Sequence, residues 1–253
     1  MVTGRNLKKK TVVAAKGEIM SVPKQPVRNP GTKAPRPKDA ATLIVYRFNN
    51  QKIEVLMGER HRKHKFLPQR YVFPGGRVDR QDSSVRSATN LRSDVEELLT
   101  RRVTPARARA LAAAAIRETF EEAGLIVGKT DVEPHRPVPK NWKTFFDKGF
   151  APCFENLNYI ARAVTPPWRP IRFDARFFMI EEEFVEGKLG GDGELLDLMF
   201  VPLLETKNLE LPLITTRVLE LVKDLASNPI KLNCLRTIKF FKHNGKFHDM
   251  LDE

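Results

Sequence analysis

The stretch Arg117-Glu118-Thr119-Phe120-Glu121-Glu122-Ala123-Gly124-Leu125 packs three carboxylates and one arginine into six residues. At about 100° per residue on an α-helix, Glu118, Glu121 and Glu122 fall within one sector roughly 100° wide. With Ile116 as origin, Ala112, Phe120 and Ala123 lie within about 40° of it, while the carboxylates centre at about 190°. One helix face reads as apolar, the other as acidic. Like charges three and four residues apart destabilise an isolated helix by a few tenths of a kcal/mol per pair. The cluster therefore calls for a counter-charge, which Arg117 supplies in part and a hard divalent cation could supply further. Taken alone, E-x-x-E-E reads first as a solvated helix face.

The context of the cluster narrows that choice. Upstream stands Phe73-Pro74-Gly75-Gly76, where paired glycines allow backbone geometry closed to other residues. Together the two pieces resemble the Nudix box, G-x5-E-x7-R-E-U-x-E-E-x-G-U, in which U is an apolar residue. The second half is matched from Arg117 to Leu125, with Thr119 at the first U. In the first half Gly76 is followed after five residues by Asp82, where the family has Glu. From Asp82 to Arg117 the chain has 34 intervening residues instead of seven, an excess of 27. The box is interrupted between its loop and its helix.

The flanking sequence supports both parts. Thr104-Pro105 gives an N-cap and a first-turn proline, and Gly124 a stop, which predicts a helix from about Pro105 to Ala123. Its alanines from Ala112 to Ala115 permit close packing on a sheet. Within the excess, Leu91, Val95, Leu98 and Leu99 recur at helical spacing after a possible cap at Asp82-Ser83-Ser84. A folded helical insertion over residues 83–104, such as a hairpin arm, is expected. Its leucine stripe fits either packing on the parent domain or a homodimer contact.

Strand patterns occur at residues 40–46, 53–57, 157–164, 173–180 and 195–201, with Tyr71-Val72-Phe73 leading into a glycine turn and Asn49-Asn50 making another. Asn141 to Phe150 reads as a short helix and Arg217 to Ser227 as a closing one. This order predicts an α/β/α sandwich with a mixed sheet. The Nudix resemblance, which covers roughly residues 40–226, implies the same architecture.

The chain has 253 residues, 41% of them apolar, enough for a buried core. No run of 18 uncharged apolar residues occurs, so no membrane span is expected, and a cytoplasmic protein is the expectation. The formal charge of +13 is uneven. Residues 1–38 hold ten Lys/Arg and one acid, with five prolines, and read as a disordered basic tail ahead of a domain spanning 39–253. Such a tail could attract nucleic acid only non-specifically. Cys153 and Cys234 lack C-x-x-C spacing and read as ordinary thiols.

A diphosphate is inert because its anionic oxygens repel a nucleophile, so a catalyst must neutralise charge and activate water. The resemblance implies an enzyme that hydrolyses a diphosphate bond in a nucleoside diphosphate linked to another moiety, using Mg²⁺ or Mn²⁺. Carried over position by position, it makes Glu118, Glu121 and Glu122 metal-binding carboxylates, with Gly76 offering its carbonyl. Arg117 would orient a carboxylate through a bidentate pair. Asp82 and Asp79 would support the loop, although Asp79 also reads as a simple exposed residue. Glu118 is the first choice of general base, with Glu181, Glu182 and Glu183, or Glu194, as later candidates that read equally as solvated. Arg60, Arg62 and Arg70 lie in a basic run suited to a phosphorylated ligand, a context too basic for His61 and His64 to bind metal. The insertion and the R-E-x-F-E-E-A-G tail resemble the branch that includes peroxisomal coenzyme A diphosphatases, which favours CoA or acyl-CoA. The alternative is a Nudix-fold module, impaired by Asp82 and the insertion, that binds nucleotide or RNA without hydrolysis.

Overall fold

Alternation in the first strand sorts the whole molecule into layers. In the computed structural model, which describes residues 27–29, 31–64, 66–130, 137–228, 232, 236–243 and 248–253, β1 runs from Lys38 to Asn49. Its Ala41, Leu43 and Val45 join one buried cluster, and Ile44 and Tyr46 join another on the opposite face, as the two-residue period of a strand requires. The remaining strands are β2 (Lys52–Arg60), β3 (Tyr71–Val72), β4 (Gly75–Arg77), β5 (Leu125–Ile126), β6 (Gly128–Lys129), β7 (Ala151–Pro152), β8 (Asn158–Val164), β9 (Phe173–Glu181), β10 (Glu186–Gly187), β11 (Leu195–Pro202), β12 (Lys239–His243) and β13 (His248–Asp252). The helices are α1 (Ser93–Thr100), α2 (Pro105–Ala123), α3 (Lys143–Phe146) and α4 (Leu213–Ala226).

The main sheet has the order β11-β2-β1-β9-β8-β12-β13, with β3 added to β2 and β4 to β1. It is mixed, since β1 runs parallel to β9 and β8 parallel to β12. Helices α1 and α2 cover one face and α4 the other, which makes the expected α/β/α sandwich. The C-terminal hairpin β12–β13 adds an edge that the sequence reading did not include.

One edge of β1 is divided. Ala40, Ala41 and Thr42 face β4, whereas Tyr46 to Asn49 face β2. Between them Leu43 donates its N–H to the carbonyl of Pro74. The strand that carries the paired glycines therefore enters the sheet where β1 changes partner. Gly75 and Gly76 lie in a short strand here, where a turn was expected, because β1 supplies them with an antiparallel neighbour.

The insertion differs from the expected hairpin arm over 83–104. Only Ser93–Thr100 is α-helical, and Asp82-Ser83-Ser84 does not cap it. Asp79 instead caps a 3-10 turn over Arg80–Ser83, with Asp82 as the reciprocal member of a capping box. Leu91, Val95, Leu98 and Leu99 are buried with α2 in the parent core, so the leucine stripe is occupied within its own domain. Arg92 fastens the segment by bonds to Asp94, Asn158 Oδ1, the Glu155 carbonyl and the Leu232 carbonyl. A one-helix insertion suffices because an arginine hub and Thr89, which accepts from the Phe154 and Glu155 N–H groups, satisfy the irregular backbone.

At the start of the domain, Arg28 donates its N–H to the Trp168 carbonyl and Arg172 donates to the Pro35 carbonyl. The last part of the basic tail thus lies against the loop before β9. Residues 1–26 and Cys234 lie outside the described residues.

Candidate functional site

Helix α2 has the bounds its caps predict. Thr104 Oγ1 accepts from the Arg107 N–H, Pro105 occupies the first turn, and Gly124 at φ 71° ends the helix in the left-handed region open to glycine. Ala112 to Ala115 are fully buried in the core between the sheet and the elements packed outside the helix. At the N-terminal end Arg107 Nε donates to Asp39 Oδ2 at 2.7 Å. These contacts fix the helix so that its final turns run under β4.

The acidic face is not a solvated face. Glu122 is 2% exposed and Arg117 6%. Arg117 is the hub of the site. It grips Asp82 with Nε to Oδ1 at 2.9 Å and Nη2 to Oδ2 at 3.1 Å, and its Nη1 reaches Glu121 Oε2 at 2.7 Å. Nη2 also lies 2.9 Å from Glu118 Oε1 and donates to the Arg77 carbonyl at 3.1 Å. Burial works against its charge, but the Asp82 bonds and the charges of Glu118 and Glu121 outweigh it and hold the guanidinium above its ordinary range.

Asp82 stands where a glutamate was expected by family pattern and still closes the loop onto the helix. Besides the bidentate pair it accepts from Trp142 Nε1 at 3.0 Å and from the Asp79 N–H at 2.7 Å. Asp79 accepts from the Gln81 N–H at 2.8 Å. The interruption leaves the pair intact, because the 27 extra residues leave the loop after Asp82 and rejoin α2 without separating Asp82 from Arg117.

Glycine explains the close approach of loop and helix. A Cβ on Gly76 would meet the Glu118 carboxylate at 2.4 Å, and one on Gly75 would meet the Ala41 carbonyl and Thr42 at 2.7 Å. The Gly75 N–H donates to Glu122 Oε2 at 2.7 Å. Each of Glu118, Glu121 and Glu122 thus uses one oxygen on a protein donor. Burial first, with repulsion from Glu121 and Asp82 partly offset by Arg117, pushes the Glu118 carboxyl up to about 7. Burial likewise pushes Glu122 up to about 8, against the Gly75 bond and the charge of Arg60, with Glu118 and Glu194 adding to the rise. Glu121 is raised as well, again chiefly by burial. The cluster carries more negative charge than Arg117 cancels.

The other candidates divide. Arg60 acts on Glu122 electrostatically, as does Glu194, so both belong to the neighbourhood of the site. Arg62 is exposed, and Arg70 is drawn away into an ion pair with Glu210. Glu181 shares the α4 face with its register partner Tyr46, whose hydroxyl donates to it at 3.2 Å. It is therefore on the side of the sheet away from α2. Glu182 pairs with Arg47 at 3.3 Å, and Glu183 is exposed. The acidic triplet does not gather with the helix carboxylates.

Sequence reading missed Trp142, because no local signal ties an indole to a carboxylate 60 positions earlier. It also set aside His64, which lies 3.0 Å from Glu194. Beside Glu121 a cavity of about 560 Å³ is lined by Phe120, Ile126, Thr144, Lys148, Lys188 and Asp192. The loop that walls it is bolted to the helix end by the N–H groups of Gly190 and Asp192, which donate to the Ala123 and Glu121 carbonyls at 2.9 Å.

No family model matches the chain, and no curated protein matches it. Among solved structures, a NUDIX hydrolase from Alicyclobacillus acidocaldarius is 28% identical and superposes with a TM-score of 0.57 over 79% of this chain and 97% of that one. The chain belongs to the Nudix superfamily. It is accordingly an enzyme that hydrolyses phosphoric anhydrides. The Nudix domain of Shewanella oneidensis NrtR, complexed with ADP ribose, aligns over 76% of this chain and 90% of its own at 10% identity and a TM-score of 0.45. A C. elegans Ap4A hydrolase aligns over 75% and 98% at 15% identity and 0.41.

Proposed function

We propose that this Nudix enzyme hydrolyses the diphosphate of a nucleoside diphosphate linked to a second moiety, with CoA or acyl-CoA as the favoured substrate, and that it works with Mg²⁺ or Mn²⁺. The observation that carries the reading is the gathering of Glu118, Glu121 and Glu122 beside Gly75 and Gly76 around an Arg117 already claimed by Asp82. Among the described residues no three His, Cys, Asp or Glu side chains form a ready-made metal cluster. The donor set nevertheless fits a hard cation, since each glutamate keeps one oxygen free of protein hydrogen bonds and the three exceed the local positive charge.

Glu118, Glu121, Glu122 and the Gly76 carbonyl would surround the cation. A bound divalent ion supplies charge neutralisation at the phosphates and a more acidic water. The chain's own part is positional. Arg117 keeps Glu118 and Glu121 in fixed rotamers through separate nitrogens, while the Gly75 N–H fixes Glu122. Glu118 is our choice of general base for the attacking water; in that role its free oxygen faces the water, and the cation rests on Glu121, Glu122 and the Gly76 carbonyl. Arg60 is our choice for a substrate phosphate contact. The cavity beside Glu121, lined by Phe120 and Ile126 together with Lys148 and Lys188, supports a substrate whose second moiety is bulky. The CoA preference rests on the resemblance of the interrupted box and its R-E-x-F-E-E-A-G tail.

The test is turnover of CoA, ADP-ribose, NADH, dinucleoside polyphosphates and 8-oxo-dGTP with Mg²⁺ or Mn²⁺, with products identified by mass. CoA cleavage that Glu122→Gln lowers on the order of 100-fold is the expected result. No turnover of any compound, or equal turnover by the variant, overturns the reading. The bidentate Asp82–Arg117 pair supports hydrolysis over an impaired binding module, because the loop still closes on the helix.

A further inference from the structure

Three side chains meet next to Glu122 as a group outside the box. Arg60 ends β2, His64 follows it in the next loop, and Glu194 precedes β11. His64 Nε2 stands 2.9 Å from Arg60 Nη2 and 3.0 Å from Glu194 Oε2. A single ring nitrogen cannot satisfy both. Unprotonated, it accepts from the guanidinium and turns a lone pair toward the carboxylate. Protonated, it donates to the carboxylate and faces a guanidinium donor. Two more demands stay open, since Arg60 Nε and His64 Nδ1 are buried without a hydrogen-bond partner among the described residues.

Buried polar atoms are nearly always satisfied in folded proteins, by protein or by water, and Arg60 Nε and Nη2 are donors that a bound anion can take up in place of His64. The backbone around it is firmly set. The Arg60 N–H donates to the Arg70 carbonyl at 2.9 Å, the Gln69 N–H to the Arg60 carbonyl at 2.9 Å, and the His61 N–H to the Glu194 carbonyl at 3.1 Å. Leu195 is in register with Arg60. Only the side chains are left to choose between arrangements.

We propose that His64 is a two-state latch that positions Arg60. In the free enzyme the imidazole accepts from Arg60 Nη2. In the substrate complex Nε2–H donates to Glu194 instead, and Arg60 turns its freed Nη2 and its unpaired Nε onto an oxygen of the substrate diphosphate. The two states differ in which ring nitrogen carries the N–H. As the side chains move apart and admit water, the ring gives up its Nδ1 proton and takes one up at Nε2, so the number of bound protons is unchanged. A guanidinium fork suits a phosphoryl oxygen. His64 and Glu194 touch no substrate; they are positioning residues, and the latch rests on the reading of this site as a diphosphatase.

Glutamine at position 64 tests it, because its amide offers an acceptor to Arg60 and a donor to Glu194 at once and so freezes the latch. His64→Gln is expected to raise KM about 10-fold, the loss of one charge-assisted hydrogen bond, with kcat within about twofold. In an Arg60→Gln background the same change should add nothing to KM. A native KM in His64→Gln, or its full effect persisting without Arg60, overturns the latch. So does a fall in kcat accompanied by a fall in Tm, which would mark a structural role. Titration with α,β-methylene-ADP separates this failure from failure of the functional reading: weaker binding in His64→Gln supports the latch even if no diphosphate is turned over, and equal binding sinks it.

Discussion

The chain carries two acidic triplets, Glu118/Glu121/Glu122 and Glu181/Glu182/Glu183, and only the first gathers into one buried cluster. On α2 the spacing leaves all three on one side of a helix whose end is clamped under β4, and burial raises every one of them. At the end of β9 consecutive residues turn to different surroundings. Glu181 meets Tyr46, Glu182 meets Arg47, and Glu183 faces solvent. Spacing alone does not distinguish a buried, gathered cluster from a decorated strand end. Depth and a shared arginine do.

The largest expected effect comes from removing what fixes the first triplet. Arg117→Ala strands buried Asp82, together with Glu118 and Glu121, and should cost about 3–5 kcal/mol, measured by urea unfolding. Trp142→Phe removes one donor from Asp82 and should cost about 1 kcal/mol. A loss for Arg117→Ala no larger than for Trp142→Phe would mean that the arginine is not the hub and would erase the contrast.

Next in size are the carboxylates. Glu118→Gln and Glu122→Gln should each lower kcat on the order of 100-fold. Without metal, Glu122→Gln should also raise stability, because burial disfavours the charge it removes. Activity and stability then move in opposite directions at one residue. A variant that loses both would point to a purely structural carboxylate.

The raised acids give the metal-free protein a pH signature. Between the ordinary carboxylate value and about 8, the unfolded chain has released the proton that folded Glu122 retains, so the folded state binds more protons and stability falls as pH rises. The same sign holds for Glu118 up to about 7. The melting temperature in chelator should therefore drop from pH 5 to pH 8, and Glu122→Gln should flatten the slope. An unchanged slope in the variant would locate the titration elsewhere.

Much of this was legible locally. The caps Thr104, Pro105 and Gly124 determine the bounds of α2, and strand alternation marks both faces of the sheet. The unreadable parts are those settled by partners distant in sequence. Gly75 and Gly76 read as a turn because nothing nearby announces that Ala41 and Thr42 pair with them. The insertion read as an arm because a leucine stripe does not reveal which apolar surface it covers. Asp82 read as a weakness because its bonds to Arg117 and Trp142 span 35 and 60 positions.

The smallest expected effect is the sharpest control. Glu182→Gln alters a residue of the same type, in a triplet of the same length, on the same domain. Its partner Arg47 keeps Glu54 at 2.7 Å and the ring of Phe200 at 4.1 Å, so loss of the 3.3 Å contact leaves the arginine satisfied. Exposed pairs of this kind contribute little to stability. Activity should stay within about twofold of native and Tm should not move. If Glu182→Gln instead lowered kcat as far as Glu122→Gln, the strand-end triplet would have to reach the reacting phosphate, and depth beneath β4 would no longer separate the two clusters.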